Sequence, residues 1–130
     1  MVTRGLAHTS LFVAREHGRS LEVERLPEEL AVSVITIGEL RAGVLAAHDV
    51  ATRDRRLATL AQASRLDPLT VDRAVADVWA RLRVELRDAG QRMPVNDAWI
   101  AATALAWEVP VVTRDDDFDV TVTGLDTIRV

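Results

Sequence analysis

Short apolar blocks recur along this chain, and most are followed by a stretch with helical periodicity. Gly5-Leu6-Ala7 is the first block. It closes a buried strand and runs into the polar turn His8-Thr9-Ser10. Leu11, Phe12, Val13 and Ala14 then open a helix that stops near Gly18. Strand, small polar turn and helix begin an α/β unit. Leu21, Val23 and Leu26 are loosely periodic, so 20–26 reads as a short amphipathic helix, broken by Pro27-Glu28-Glu29. Leu30 to Ile35 is apolar and β-branched, the signature of a buried strand. A helix follows from Thr36, with Leu40, Val44 and Leu45 on its apolar face.

Asp49 is placed to cap the next helix, 50–64, which is Arg-rich on one side and carries Leu57, Leu60 and Ala61 on the other. Leu66 to Val71 is a weak strand, and Pro68 within it argues for an edge. Asp72 caps a long helix in which Val75, Val78, Leu82 and Leu86 form one stripe, ended by Gly90. After the connector Met93-Pro94-Val95, Asn96-Asp97 start a helix, 98–107, that is apolar almost all round and must be buried on most faces. Val111 and Val112 form a further buried strand, and 121–130 alternates loosely as a last one. Strands separated by helices predict an α/β fold. The expected architecture is a three-layer α/β/α sandwich with a central, mostly parallel sheet.

Composition narrows the class. The chain has 130 residues, enough for a single domain over 1–130 with its own core. It lacks cysteine, which excludes disulfides and thiolate metal sites. No apolar run is long enough to span a bilayer, and the N-terminus has no signal-peptide pattern, so a cytoplasmic protein without membrane attachment is expected. The net charge of −4 argues against nucleic-acid binding by bulk electrostatics. Every basic residue among the 16 is Arg, the side chain suited to bidentate phosphate or carboxylate contacts.

Against that background one stretch stands out. The Val111-Val112 strand ends in Asp115, Asp116, Asp117 and Asp119, adjacent carboxylates that repel unless water or a cation screens them. Glu39 lies about one helical turn past the second strand, and Asp97 begins the apolar helix. In a parallel sheet these acids converge on one edge, and converging carboxylates suit Mg²⁺ or Mn²⁺. Each also has an ordinary structural reading. Thr36-x-x-Glu39 is a capping box, Asn96 or Asp97 is an N-cap, and the acidic run is a solvated turn. Trp79, Trp99 and Trp107 sit in apolar helical patterns and read as core. Arg53, Arg55 and Arg56 read as a solvated helix face, with contact to RNA or a partner as the alternative.

Four segments, taken together, carry a resemblance: Leu6-Ala7-His8-Thr9-Ser10-Leu11-Phe12, Ser33 to Gly43 (SVITIGELRAG), Asn96-Asp97-Ala98-Trp99-Ile100-Ala101-Ala102, and Val111 to Phe118 (VVTRDDDF). Their order and spacing, across nearly the whole chain, resemble PIN-domain ribonucleases, in particular VapC-like toxins of type II toxin–antitoxin systems. The resemblance implies Mg²⁺- or Mn²⁺-dependent RNA cleavage, a homodimer, and inhibition by a cognate VapB-like antitoxin, with the Ser20 to Ser64 helices as the expected antitoxin surface. Carried over residue by residue, Glu39, Asp97 and Asp115 match the metal-binding acids. Asp117 matches a supporting acid, and Thr9 and Ser10 match the polar turn beneath the site. Arg41 and Arg114 are candidates for holding flanking phosphates.

One position departs from the pattern, because His8 stands where the family places its first aspartate. That exchange replaces an anionic oxygen with a bulkier nitrogen ligand, which Mg²⁺ disfavours and Mn²⁺ tolerates better. A misplacement of about 1 Å in such a site costs on the order of a hundredfold in rate. Three origins stay open: a disarming change, a natural variant with altered metal preference, or a copy kept for binding. The expected chemistry is metal-assisted hydrolysis of an RNA phosphodiester by an activated water, impaired by His8. The alternative is a catalytically weak binding module acting through an antitoxin or operator complex. A phosphomonoesterase is disfavoured, since no Asp-x-Asp pair follows an N-terminal strand.

Overall fold

The structure is a computed structural model that describes residues 2–122 and 124–130. Among these residues the chain forms β1 (Arg4–Ala7), α1 (Thr9–Glu16), one 3₁₀ turn (Val23–Arg25), β2 (Glu29–Ser33), α2 (Val34–Leu45) and α3 (Val50–Ala63). It continues with β3 (Pro68–Leu69), α4 (Arg73–Asp88), α5 (Val95–Trp107), β4 (Val111–Thr113) and β5 (Thr127–Arg129). The strands make one sheet in the order β3-β2-β1-β4-β5, and every pairing is parallel.

Strand alternation distributes the core over both faces of this sheet. Leu6 of β1 is in register with Val111 of β4, and both pack with Val75, Leu82 and Leu86 of α4 and Ile100 and Ala104 of α5. Their neighbours Ala7 and Val112, also in register, turn to the opposite face and meet Leu11 of α1. There Leu40 and Val44 of α2 join Leu60 and Ala63 of α3, with Phe12 of α1 against them. The three-layer sandwich expected from the pattern is the architecture found. Among the described residues no helix is long and apolar enough to cross a membrane.

Gly5 allows β1 and β4 to lie this closely. A Cβ there would stand 2.6 Å from Val112 Cγ2 and 2.9 Å from Pro27 Cγ. Gly90 ends α4 at φ +67, a left-handed conformation that costs glycine nothing. Asp49 and Asp72 cap α3 and α4 as expected, accepting from Thr52 N and Val75 N at 2.8 and 3.0 Å. Pro68 lies on the edge strand β3, where a missing N–H is tolerated.

Several local expectations are corrected. The second strand ends at Ser33 rather than Ile35, because the buried Ser33 hydroxyl accepts from Ile35 N at 3.0 Å and starts α2 within a β-branched run. Thr36 therefore lies inside α2, fully buried, and does not form a capping box with Glu39. The first helix starts at Thr9, with His8 as its N-cap. Asp97 is not an N-cap. Pro94 holds that place, and Asp97 lies in the first turn of α5. Of the 20–26 stretch only the 3₁₀ turn is helical. Trp79 and Trp99 stack on each other at 4.4 Å, whereas Trp107 is 55% exposed and is not core. Arg56 is not simply solvated, since it donates to Gly43 O at 2.6 Å.

The topology selects one edge. The chain adds β2 and β3 on one side of β1, then returns to add β4 and β5 on the other. In open parallel sheets the ligand crevice lies beyond the carboxyl ends of the strands where that direction reverses. Here that point is between β1 and β4.

Candidate active site

The four acids matched to the site, Glu39, Asp97, Asp115 and Asp117, all come from elements that end or begin at this edge. His8 is the first residue past β1, and its backbone N–H continues the ladder to Val112 O at 2.9 Å. Asp115 and Asp117 follow β4, Glu39 is in the second turn of α2, and Asp97 is in the first turn of α5. The end of a helix that exposes its N–H groups favours a carboxylate such as Asp97. His8, Thr9, Ser10, Glu39, Asp97, Asp115 and Asp117 together line an open cleft of about 510 Å³.

His8 occupies the centre. Its side chain is buried, packed edge-on against Phe118 with ring centroids 4.8 Å apart. Nε2 lies 2.8 Å from Asp97 Oδ1. Nδ1 faces Ser10 Oγ at 2.9 Å, Thr113 Oγ1 at 3.2 Å, and the Ser10 backbone N–H at 3.4 Å. An N–H pointing at Nδ1 makes that nitrogen the acceptor, so the network assigns the ring proton to Nε2, donated to Asp97. Asp115 Oδ2 is 3.5 Å from Nδ1.

The carboxylates around the ring are themselves engaged. Burial pushes the Asp97 carboxyl up. The hydrogen bonds from His8 and Asp117 outweigh it and hold Asp97 below the usual carboxylate range. Asp117 shows the opposite effect. Its hydrogen bond to Asp97, then burial and the charges of Asp115 and Asp97, push it up to about 6. Like charges at close range thus drive the two carboxyls apart, Asp97 down and Asp117 up. Thr113 Oγ1 donates to Asp115 Oδ1 at 3.2 Å, and the Asp117 N–H donates to the same oxygen at 3.1 Å. On the far wall Thr9 Oγ1 donates to Glu39 Oε1 at 2.7 Å, and Thr36 Oγ1 backs Thr9 at 3.0 Å.

Four carboxylates on one cleft are the donor type a hard dication takes. As arranged they do not fit one. Among the described residues no three His, Asp or Glu side chains stand together at a spacing that would share an ion. The His8 ring fills the central position with its N–H on Asp97.

The two arginines singled out from the sequence lie elsewhere. Arg41 is an exposed residue of α2 and does not line the cleft. Arg114 turns its guanidinium to Ser20 O, while its backbone N–H donates to Ser10 Oγ at 2.9 Å. Asp116 and Asp119 are exposed. Three participants escaped the sequence reading: Thr113, which links His8 to Asp115; Thr36, behind Thr9; and Phe118, against the imidazole. Thr113 ends a strand two residues before Asp115, a position that points a hydroxyl at the crevice. Nothing local marks Thr36, whose partner is 27 residues away.

Comparison with known proteins identifies the family. The PIN domain model matches residues 9–122. The ribonuclease VapC5 of Mycobacterium tuberculosis (strain ATCC 25618 / H37Rv) is 46% identical over 114 residues, covering 88% of this chain and 84% of that protein. VapC4 of the same strain is 45% identical over 117 residues, 90% of each. The crystal structure of VapBC-5 from M. tuberculosis, a member of the VapBC family of toxin–antitoxin systems, superposes with a TM-score of 0.92 at 41% identity. It covers 98% of this chain and 99% of that one.

Proposed function

The chain belongs to the PIN-domain family, with VapC ribonucleases among its relatives, and we propose that it is a VapC-like endoribonuclease toxin whose cleavage is impaired by His8. The observation that carries this reading is the 2.8 Å contact between the buried His8 Nε2 and Asp97 Oδ1. An imidazole there takes the place of a carboxylate and also engages a second one. Glu39, Asp97 and Asp115, supported by Asp117, are the residues that would hold Mg²⁺ or Mn²⁺ once position 8 is an aspartate. Thr9 and Ser10 support them. With His8 in place the donor set lacks its central anion, and activity falls well below that of the Asp form.

The partners follow from the same reading. A cognate VapB-like antitoxin would hold the protein, as it does in the VapBC systems its structural neighbours come from. The active unit is a homodimer acting on RNA in the cytoplasm, where such a substrate is met. The His8–Asp97 contact favours one further reading, a PIN-fold binding module that works through its antitoxin or operator complex. Expression without antitoxin separates the two. His8→Asp should arrest bacterial growth while the native chain does not. Harmless expression of both forms at equal levels would favour the binding module.

A further inference from the structure

Outside the cleft, three arginines gather on a groove of about 520 Å³ at the end of α4: Arg83, Arg87 and Arg92. Among the described residues no carboxylate lines it, an unusual arrangement on a chain of net charge −4. The helix explains the segregation. Arg83 and Arg87 are four positions apart, on one face of α4, whereas Arg81 and Glu85 line a different depression. Gly90 turns the chain so that Arg92 returns to the same groove.

The three guanidinium groups differ in how they are engaged. Arg87 donates to Asp88 Oδ1 from Nε and Nη2, both at 3.2 Å. Arg83 lies over the Trp79 ring, 5.4 Å from its centroid, and Trp79 is stacked in turn on Trp99 of α5. Arg92 is exposed and has no hydrogen-bond or ion-pair partner among the described residues. Two cations without carboxylate partners, one of them held in place by a stacked indole, leave fork-shaped donors facing solvent.

The groove adjoins the candidate active site. Met93 is its last lining residue, and Pro94, bonded to Met93, is on the wall of the acidic cleft, followed by Asn96 and Asp97. We propose that the Arg83–Arg87–Arg92 groove binds the phosphate backbone of single-stranded RNA on one side of the scissile position. This rests on the ribonuclease reading above. It also addresses how an acidic site on an acidic protein retains a polyanion, because the cleft itself repels the strand and the groove beside it attracts it. Contacts of this kind position a strand without reading its sequence.

The test uses the purified full chain in EDTA and a fluorescein-labelled, single-stranded 12-nucleotide RNA, followed by anisotropy. Arg83→Gln/Arg92→Gln should weaken binding by about tenfold at low salt and lower the slope of log K against log salt by about 1.4, since each phosphate contact contributes roughly 0.7 for single strands. Arg53→Gln/Arg65→Gln, the same charge change on and just past α3, should leave both unchanged. Unchanged affinity and slope in the groove variant would overturn the proposal. So would a groove variant that keeps RNA but loses a poly-glutamate peptide, which would assign the groove to a protein segment. In the His8→Asp background the groove variant should raise KM with little change in kcat. If His8→Asp does not cleave RNA but the groove variant still loses it, the groove stands and the nuclease reading falls.

Discussion

His8 and Asp97, 89 residues apart in sequence, meet through one buried hydrogen bond of 2.8 Å between Nε2 and Oδ1. That bond closes the β1 and α5 sides of the cleft onto each other. It also satisfies two groups that burial would otherwise leave costly. His8→Ala should therefore destabilise the protein by about 2–3 kcal/mol, combining a cavity with an unpaired buried carboxylate. Urea unfolding of His8→Ala, Asp97→Ala and the double variant measures it. The two residues should couple by about 1 kcal/mol or more.

Replacing the ring with a further carboxylate should make stability depend on metal. His8→Asp places another anion beside Asp97, Asp115 and Asp117, so in EDTA its Tm should fall by about 5 °C, equivalent to roughly 1–2 kcal/mol. Mn²⁺ or Mg²⁺ at a hundredfold over Kd should return about 2.7 kcal/mol. The native chain, whose donors are already engaged, should shift by less than 1 °C under the same addition. Thermal scans with and without metal distinguish the two forms.

Asp117 predicts a pH dependence. Its folded value of about 6 lies above the ordinary aspartate value of 3.8, so folding is favoured while the carboxyl is protonated. This contribution is present below about pH 4 and is lost as pH rises through 6. A shift of that size corresponds to at most about 3 kcal/mol, and solvent screening of a partly exposed group reduces it to about 1. Asp117→Asn keeps a donor for Asp97 without the charge. It should be more stable than the native chain by about 1 kcal/mol at pH 8, with the difference closing by pH 4, as read by Tm across that range.

Gly5 offers a test of the scaffold under the site. A Cβ 2.6 Å from Val112 Cγ2 must push β1 from β4, the two strands that deliver His8 and Asp115. Gly5→Ala should cost about 1–3 kcal/mol. It should also lower the activity of a His8→Asp protein by more than Gly18→Ala does, although Gly18 sits at φ +69, since nothing lies within 4 Å of a Cβ there.

Much of this was legible in the sequence for physical reasons. The stripes of α4 and the apolar α5 could only be buried helices, and Val111-Val112 before an acidic turn could only be a strand ending at a polar edge. The order of elements then brought Glu39, Asp97, Asp115 and His8 to that edge. What was not legible depended on contacts across the fold. Val34 and Ile35 looked like strand because the helix they begin is started by one buried serine hydroxyl, Ser33. Trp107 looked like core because its exposure depends on where α5 ends against β4. The engagement of the cleft carboxylates by other partners, including Thr9 on Glu39 and His8 on Asp97, is a matter of ångströms that no spacing encodes.

The measurement closest to the central claim compares the chain carrying His8 with its His8→Asp variant, both purified, on the same single-stranded RNA in Mg²⁺ and in Mn²⁺. The Asp form should cleave on the order of a hundredfold faster, and EDTA should abolish its activity. Equal rates for the two forms would contradict the account, because they would mean that the imidazole on Asp97 obstructs nothing.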